Sequence, residues 1–406
     1  MQRFALSMPL SPPIQGRPAG PSDAAGETPG AGRLLVVSHP SVVSVNQEVY
    51  RELIGRGWEL EIVLPSRWRS EYTGEDFAPQ VLSGMEQTLR RAPVALRGRP
   101  QRHFYLARCR PIVAAARPDV AFLEAEPFSF AATQWSFALD RLGIPFGVQC
   151  AENIDRPLPR PVRWMRSRVL RKAAFVAARS DTAGQLARSW GAQGEVALAP
   201  HAVPLWQALP RPAERPFTVG YAGRLVASKG LADLLAAVRR LPAPVELLLI
   251  GEGELRGELE GQQIPGSVVR VLDSLSHEQM AAGYAQLDVL ALPSHTTPTW
   301  KEQFGRVIVE ALWCGVPVVG SDSGEIPWLI ELTGGGLTFP EGDPVRLAEQ
   351  LQALRSDPAL RERLAAAGRE QVQRLFTVSA ATDPLERMLL RAAGTAARAR
   401  APSPPS

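Results

Sequence analysis

Short apolar and β-branched runs alternate along the chain with longer stretches in which apolar residues recur every three or four positions. The short runs predict strands at Arg33–Ser38, Glu59–Leu64, Asp119–Leu123, Phe146–Gln149, Phe175–Ala178 and Glu195–Ala199. A second series follows at Phe217–Tyr221, Glu246–Ile250, Val268–Leu272, Val289–Leu292, Val316–Gly320 and Gly336–Phe339. The longer pattern predicts helices between them, for example Leu231–Leu241, Ser276–Gln286 and Phe304–Cys314. Continuous apolar strands separated by helices imply parallel sheets covered on both faces, so the chain reads as α/β with two doubly wound sheets.

Prolines divide the two series. The stretch His201–Pro216 carries Pro204, Pro210, Pro212 and Pro216 directly after Pro200, and is the clearest linker. The expected organisation is a disordered leader over 1–31 and a first Rossmann-like domain over 32–205. A linker over 206–216 leads to a second Rossmann-like domain over 217–376. A C-terminal helix over 377–393, with the option of packing back on the first domain, precedes a disordered tail over 394–406. Two such domains leave a cleft at the C-terminal ends of their strands, where ligands bind.

Composition narrows the classes. The longest apolar runs, such as Leu34–Val37 and Leu247–Ile250, are far too short to span a bilayer. Pro9, Pro12 and Pro13 interrupt any signal-peptide core, so a cytoplasmic location is expected. The three cysteines, Cys109, Cys150 and Cys314, form no C-x-x-C pair and predict neither a disulfide nor a zinc framework. Basic residues number 45, and all but Lys172, Lys229 and Lys301 are arginine. Residues 1–205 carry a balance of +7 and residues 206–406 one of −3, so the first half has the polarity of a surface meeting anions.

Three glycine-marked segments are candidates for chemistry. In Gly220-Tyr221-Ala222-Gly223-Arg224-Leu225-Val226-Ala227-Ser228-Lys229-Gly230, a strand runs into a helix with two cations between them. Gly223 allows close backbone approach, and Arg224 and Lys229 suit a pyrophosphate; an ordinary βα turn with two solvated cations is the plainer alternative. Gly251-Glu252-Gly253-Glu254-Leu255-Arg256-Gly257 imitates a dinucleotide fingerprint, but its spacing is wrong and its glutamates lie where phosphates need donors. It reads as a turn into a helix. The third segment, Pro293 to Ala311, sets Glu302 in a loop, Gly305 at a helix start and Glu310 inside that helix. The offset of five residues, roughly 7–8 Å at 1.5 Å per residue, lets the helix tip hold a diphosphate while Glu310 meets a ribose. Its apolar neighbours argue for a partly buried Glu310 rather than one on a wet face.

With Gly315-Val316-Pro317-Val318-Val319-Gly320-Ser321-Asp322-Ser323-Gly324-Glu325-Ile326-Pro327, these segments resemble family-4 (group 1) glycosyltransferases of the GT-B fold. The resemblance rests on G-R-L-x-x-x-K-G at 223–230, E-x-F-G-x-x-x-x-E-A at 302–311 and this last turn, and is strong over about 205–375. It implies a UDP- or GDP-sugar donor on the second domain and a glycan or lipid-linked acceptor on the first, with no metal cofactor. By the match Arg224 and Lys229 neutralise the donor phosphates, Glu302 contacts sugar hydroxyls, and backbone N–H groups around Gln303, Phe304 and Gly305 support sugar and pyrophosphate. Glu310 binds the ribose, and Gly223 and Leu275 complete the donor set. The resemblance also implies retention of anomeric configuration, by front-face attack with the leaving phosphate accepting the acceptor's proton. The implied activity is retaining hexosyl transfer in cell-surface polysaccharide or glycolipid biosynthesis. A nucleotide-sugar-binding protein without transfer is the alternative, and a nicotinamide dehydrogenase a weaker one.

The chain departs from the family at several points. Its first strand runs into Ser38-His39-Pro40 in place of a glycine-rich loop, which makes Ser38 and His39 acceptor-side candidates. A histidine common in the family is missing from Gln149-Cys150-Ala151-Glu152-Asn153, where Glu152 or Asn153 takes its place. Glu325 stands where a second glycine is usual, and His295, beside the Glu302 loop, is a further histidine considered for the site. Two windows of the first half are basic: Arg90–Arg117, with eight arginines and no acid, and Arg156–Lys172, with seven basic residues and Trp164 among them. The second is either a helix lying on anionic lipid or a solvated arginine-rich face. Nucleic-acid binding is not expected, since no such module appears.

Overall fold

A computed structural model describes residues 31–70, 74–203, 205–210 and 215–400 of the chain, with side chains described as far as residue 395. The first sheet has seven parallel strands: β1 (Gly32–Ser38), β2 (Trp58–Pro65), β3 (Leu89–Ala92), β4 (Val120–Glu124), β5 (Phe146–Cys150), β6 (Phe175–Ala178) and β7 (Glu195–Leu198). Their spatial order is β3-β2-β1-β4-β5-β6-β7. The second sheet comprises β8 (Phe217–Ala222), β9 (Val245–Ile250), β10 (Val268–Leu272), β11 (Val289–Leu292), β12 (Val318–Ser321) and β13 (Gly336–Phe339). It is also parallel and ordered β10-β9-β8-β11-β12-β13. In both, the order reverses beside the first strand, between β1 and β4 and between β8 and β11, and ligands bind in such folds at that reversal.

Burial explains the strands. All five residues of β4 and of β5 are buried, as continuous apolar runs require when helices cover both faces. In the centre of each sheet the register sets Val36 against Ile62 and Phe122, and Gly220 against Leu248 and Leu290. The strand β3 is an addition to the expected series, because its Leu-Arg-Arg-Ala sequence has no apolar run. It lies at the sheet edge, where its two arginines face solvent.

Several expected boundaries move, each for a local reason or by a few residues. The helix expected over Phe304–Cys314 runs over Arg306–Trp313. It starts later because Gly305 takes the left-handed conformation, φ +67°, and cannot belong to its first turn. The helix expected over Leu231–Leu241 ends at Val238, and the one expected over Ser276–Gln286 is confined to Met280–Tyr284. The strand expected at Val316–Gly320 is shifted to Val318–Ser321, past Pro317, which has no N–H to give to a ladder.

Each sheet has its own core, and the chain passes between them twice. The C-terminal helix Val378–Arg400 contributes Leu385, Met388, Leu389 and Ala392 to the core of the first domain. Its Asp383 and Glu386 each lie 2.7 Å from the guanidinium of Arg56, and Glu386 also accepts from the Trp58 indole. Where the two passages meet, the Val203 N–H donates to the Phe376 carbonyl at 2.9 Å. The helix continues to Arg400, beyond Gly394, where the disordered tail is expected to begin. Residues 401–406 lie outside the described residues, as does the expected leader except Ala31, and as do 211–214 of the linker.

Candidate functional site

Two helices that follow the reversal strands of the second domain begin at a left-handed glycine with no side-chain cap: Leu231–Val238 at Gly230 and Arg306–Trp313 at Gly305. Their first N–H groups therefore have no side-chain acceptor at the cap. Gly230 is needed for a second reason: with φ +68°, a Cβ on it would lie 1.8 Å from the Pro293 carbonyl oxygen. The loops leaving β8 and β11 are thus in backbone contact.

That contact brings Lys229 and Glu302 together. Lys229 Nζ lies 2.6 Å from Glu302 Oε2, with the two side chains 11% and 13% exposed, and 4.4 Å from the ring centroid of Trp300. Ser294 Oγ donates to the same Glu302 oxygen at 3.2 Å. Arg224 is exposed, and its carbonyl accepts from the Tyr221 hydroxyl at 2.7 Å. That hydroxyl feels the charges of both Glu302 and Arg224, although burial is what raises its pKa most, so the three groups share one neighbourhood. His295 pairs with Asp233 at 2.5 Å, and its backbone N–H donates to the Ser228 carbonyl, so it braces the Lys229 loop. The arrangement holds two cations and one carboxylate beside two open helix N-termini, a setting suited to a diphosphate with a polyhydroxyl group attached.

Glu310 lies five residues beyond Gly305 and is 5% exposed; its Oε2 accepts from the Tyr284 hydroxyl at 2.8 Å. Burial raises its pKa, against the Tyr284 hydrogen bond and the charge of Arg306. Phe304 is buried against His201 and Phe376, whereas Gln303 is exposed. Leu275 is half-buried and packs near Gly283.

The Gly251 segment has a packing role. Gly251 takes φ +149°, and a Cβ there would lie 1.9 Å from the Gly223 carbonyl oxygen. The Leu225 N–H donates to the Glu252 carbonyl and the Leu255 N–H to the Leu225 carbonyl, so this loop supports the Arg224 loop from behind. Gly251 and Gly253 answer to a neighbouring backbone, whereas Gly257 lies in open space, so two of the three glycines have a packing reason that needs no dinucleotide.

On the first domain, Asn153 reaches the second: its Nδ2 donates to the Glu302 carbonyl at 2.8 Å. Glu152 turns inward, accepting from the Asn153 and Ile154 N–H groups and from Arg156. Ser38 is fully buried, with its hydroxyl 2.6 Å from Glu124 Oε2, in a network with Tyr50 and Arg179. His39 packs between Trp68 and His103, and burial followed by the charge of His103 pushes its pKa down to about 3, so it stays neutral.

Sequence reasoning misses several participants. Trp300, Ser294 and Asp233 hold the expected residues from positions with no motif of their own. Glu126, two residues past β4, accepts from the Ala151 N–H at 2.8 Å while its other carboxyl oxygen is buried without a partner. Burial pushes its pKa up to about 8. Glu325, which the sequence marks only as a departure from a family pattern, is buried. Burial raises its pKa, against the polar side chains of Thr182, Asn153 and Ser180 that the first domain turns towards it.

Residues 206–371 match the profile of the family described as glycosyl transferases group 1. A D-inositol 3-phosphate glycosyltransferase of Xylanimonas cellulosilytica is 31% identical over 182 residues, 41% of this chain and 40% of that protein. A phosphatidyl-myo-inositol mannosyltransferase of Mycobacterium leprae is 36% identical over 146 residues, 36% of this chain and 37% of that protein. The matches thus span about two fifths of these relatives' length. Among solved structures, a sucrose-phosphate synthase of Thermosynechococcus elongatus superposes with a TM-score of 0.67 at 19% identity, covering 89% of this chain and 99% of that one. Anabaena HepE in complex with UDP and glucose gives 0.62 at 17% identity, covering 88% and 99%. The chain has the GT-B fold, and its second domain carries the match to group 1 glycosyltransferases over residues 206–371.

Proposed function

We propose that the chain is a retaining hexosyltransferase of family 4, moving a hexose-type sugar from a UDP- or GDP-sugar to a glycan or lipid-linked acceptor. The observation that carries this reading is the Lys229–Glu302 pair, 2.6 Å apart at the strand reversal of the second domain, with Arg224 exposed in the same neighbourhood. In this reading Glu302 is the counter-ion that Lys229 exchanges for the donor diphosphate. Its carboxylate then accepts hydrogen bonds from sugar hydroxyls. Arg224 and Lys229 take up the charge that grows on the leaving diphosphate, the place where oriented donors do most of the catalytic work. The bond from the anomeric carbon to phosphate oxygen breaks, the acceptor oxygen bonds to that carbon on the same face, and the acceptor's proton passes to the departing phosphate. With two cations in this role the reaction needs no metal. The helix tip at Gly305 supports the pyrophosphate, and Glu310 receives the ribose, displacing or sharing its Tyr284 hydrogen bond.

On the acceptor side, the reading includes contact with an anionic membrane surface through 156–172, on the cytoplasmic face, in cell-surface polysaccharide or glycolipid synthesis. Its support is the outer face of the helix Arg160–Lys172, where Trp164 is 54% exposed among Arg160, Arg163 and Arg171. Arg156, Arg166 and Arg168 are engaged within the domain, by Glu152, Trp190 and Asp140 respectively. No helix among the described residues is long and apolar enough to cross a membrane.

The test is a panel of nucleotide sugars offered to the full chain with candidate acceptors, read as release of UDP or GDP. Turnover of one donor is expected; donor binding without release would reduce the protein to a nucleotide-sugar binder.

A further inference from the structure

Two short hairpins stand beyond the C-terminal edge of the first sheet. One pairs Trp68–Arg69 with Asp76–Phe77 directly after β2; the other pairs Val94–Ala95 with Phe104–Tyr105 directly after β3. Since β1, β2 and β3 are parallel, both hairpins lie on the side of the sheet from which the His39 loop emerges. The His39 ring touches each of them, 5.3 Å from Trp68 and 5.0 Å from His103. A cavity of about 770 Å³ opens between the hairpins, and the described residues lining it include Arg69, Arg97, Arg99 and Asp76.

Among the described residues three arginines and one carboxylate line it, and Asp76 is already paired with Arg97 at 3.0 Å. The cluster is fixed by backbone. Leu96 takes φ +55°, a conformation that costs a non-glycine residue energy, and turns the chain so that Arg97 and Arg99 follow. Gly98 takes φ +74°, and a Cβ on it would lie 2.9 Å from Cβ of Arg69, so the second hairpin is pressed against the first at the arginines. Like charges held together repel, and an oxyanion between them removes the repulsion; arginine forks also match oxyanion geometry.

We propose that this cavity binds an anionic group, phosphate ester or carboxylate, of the acceptor, and so selects an anionic acceptor. The word acceptor rests on the transferase reading; anion binding at the three arginines does not.

The test uses the full chain carrying Arg224→Ala and Lys229→Ala, so that the donor-phosphate position does not compete. Inorganic phosphate, glucuronate and, as a neutral control, glucose are titrated by calorimetry. Saturable binding of phosphate or glucuronate is expected: phosphate alone marks a phosphorylated acceptor, glucuronate alone an acidic sugar. Adding Arg97→Gln and Arg99→Gln should weaken it by about a hundredfold, roughly tenfold for each charge-assisted contact. Both side chains are exposed, so no core contact is lost. Arg97→Lys with Arg99→Lys, which keeps the charge and loses the forks, should fall between. No saturable anion binding, or binding unchanged in the glutamine variant, overturns the proposal. Anion binding at the cavity in a chain that, with its native Arg224 and Lys229, turns over no donor would sink the transferase reading and leave the cavity standing.

Discussion

Lys229 is confined in a way that makes its identity testable. Its ammonium, a compact point charge on a flexible stem, meets both the Glu302 carboxylate and the Trp300 ring. Lys229→Ala should lower kcat by about 10²–10³, the range for removing one oriented donor at a developing charge, and Glu302→Ala should lower it by removing the acceptor for the sugar hydroxyls. Lys229→Arg should remain well below the native rate, which steady-state kinetics will check. Glu126 makes a prediction about pH. Its ordinary pKa is 4.5 and burial raises it to about 8 in the fold. Between those values the unfolded chain has lost a proton that the folded chain keeps, so stability falls as pH rises through this window. Glu126→Gln should flatten that fall, as measured by denaturant unfolding between about pH 5 and 8.

Among the elements, the loops after β8 and β11 act as one unit because their backbones touch at Gly230. Gly230→Ala forces a Cβ into the Pro293 carbonyl at positive φ and should cost about 1–3 kcal/mol with loss of donor affinity. Thermal unfolding with and without nucleotide sugar will separate the two effects. These loops are legible in the sequence because Arg224, Lys229, Glu302 and Gly305 sit at short spacing beside strong strand and helix patterns. Their supports are not. Asp233 meets His295, and Asn153 meets Glu302, across long separations that no local pattern encodes. Ser38 shows a different limit: its place at a strand end can be read, but not that its side chain turns under the sheet edge to Glu124. The helix Arg160–Lys172 has an ambiguous charge pattern, and the fold divides it between internal pairs and an outer face. If that face meets lipid, Trp164→Ala combined with Arg160→Gln and Arg163→Gln should reduce flotation with anionic liposomes while leaving neutral liposomes unaffected.

For the whole molecule, the two passages of the chain join the domains where Val203 meets Phe376. The C-terminal helix buries Leu389 in the first core although it follows the second domain. Leu389→Ala should cost about 2–5 kcal/mol by opening a cavity there, lowering the unfolding midpoint of the first domain. Alternating strands and helices make the two sheets legible; the hairpins after β2 and β3 are not, since strands of only two residues are too short to show a period. The uneven charge of the two halves has a structural counterpart in the arginine cavity and the outer face of Arg160–Lys172 on the first domain, against the candidate phosphate-binding loops of the second. The central claim is that Lys229 and Glu302 form the donor end of a transferase. Release of UDP or GDP from a donor panel tests it most directly: one nucleotide sugar should be turned over by the native chain and far more slowly by Lys229→Ala or Glu302→Ala. Equal release by the native chain and both variants would contradict it.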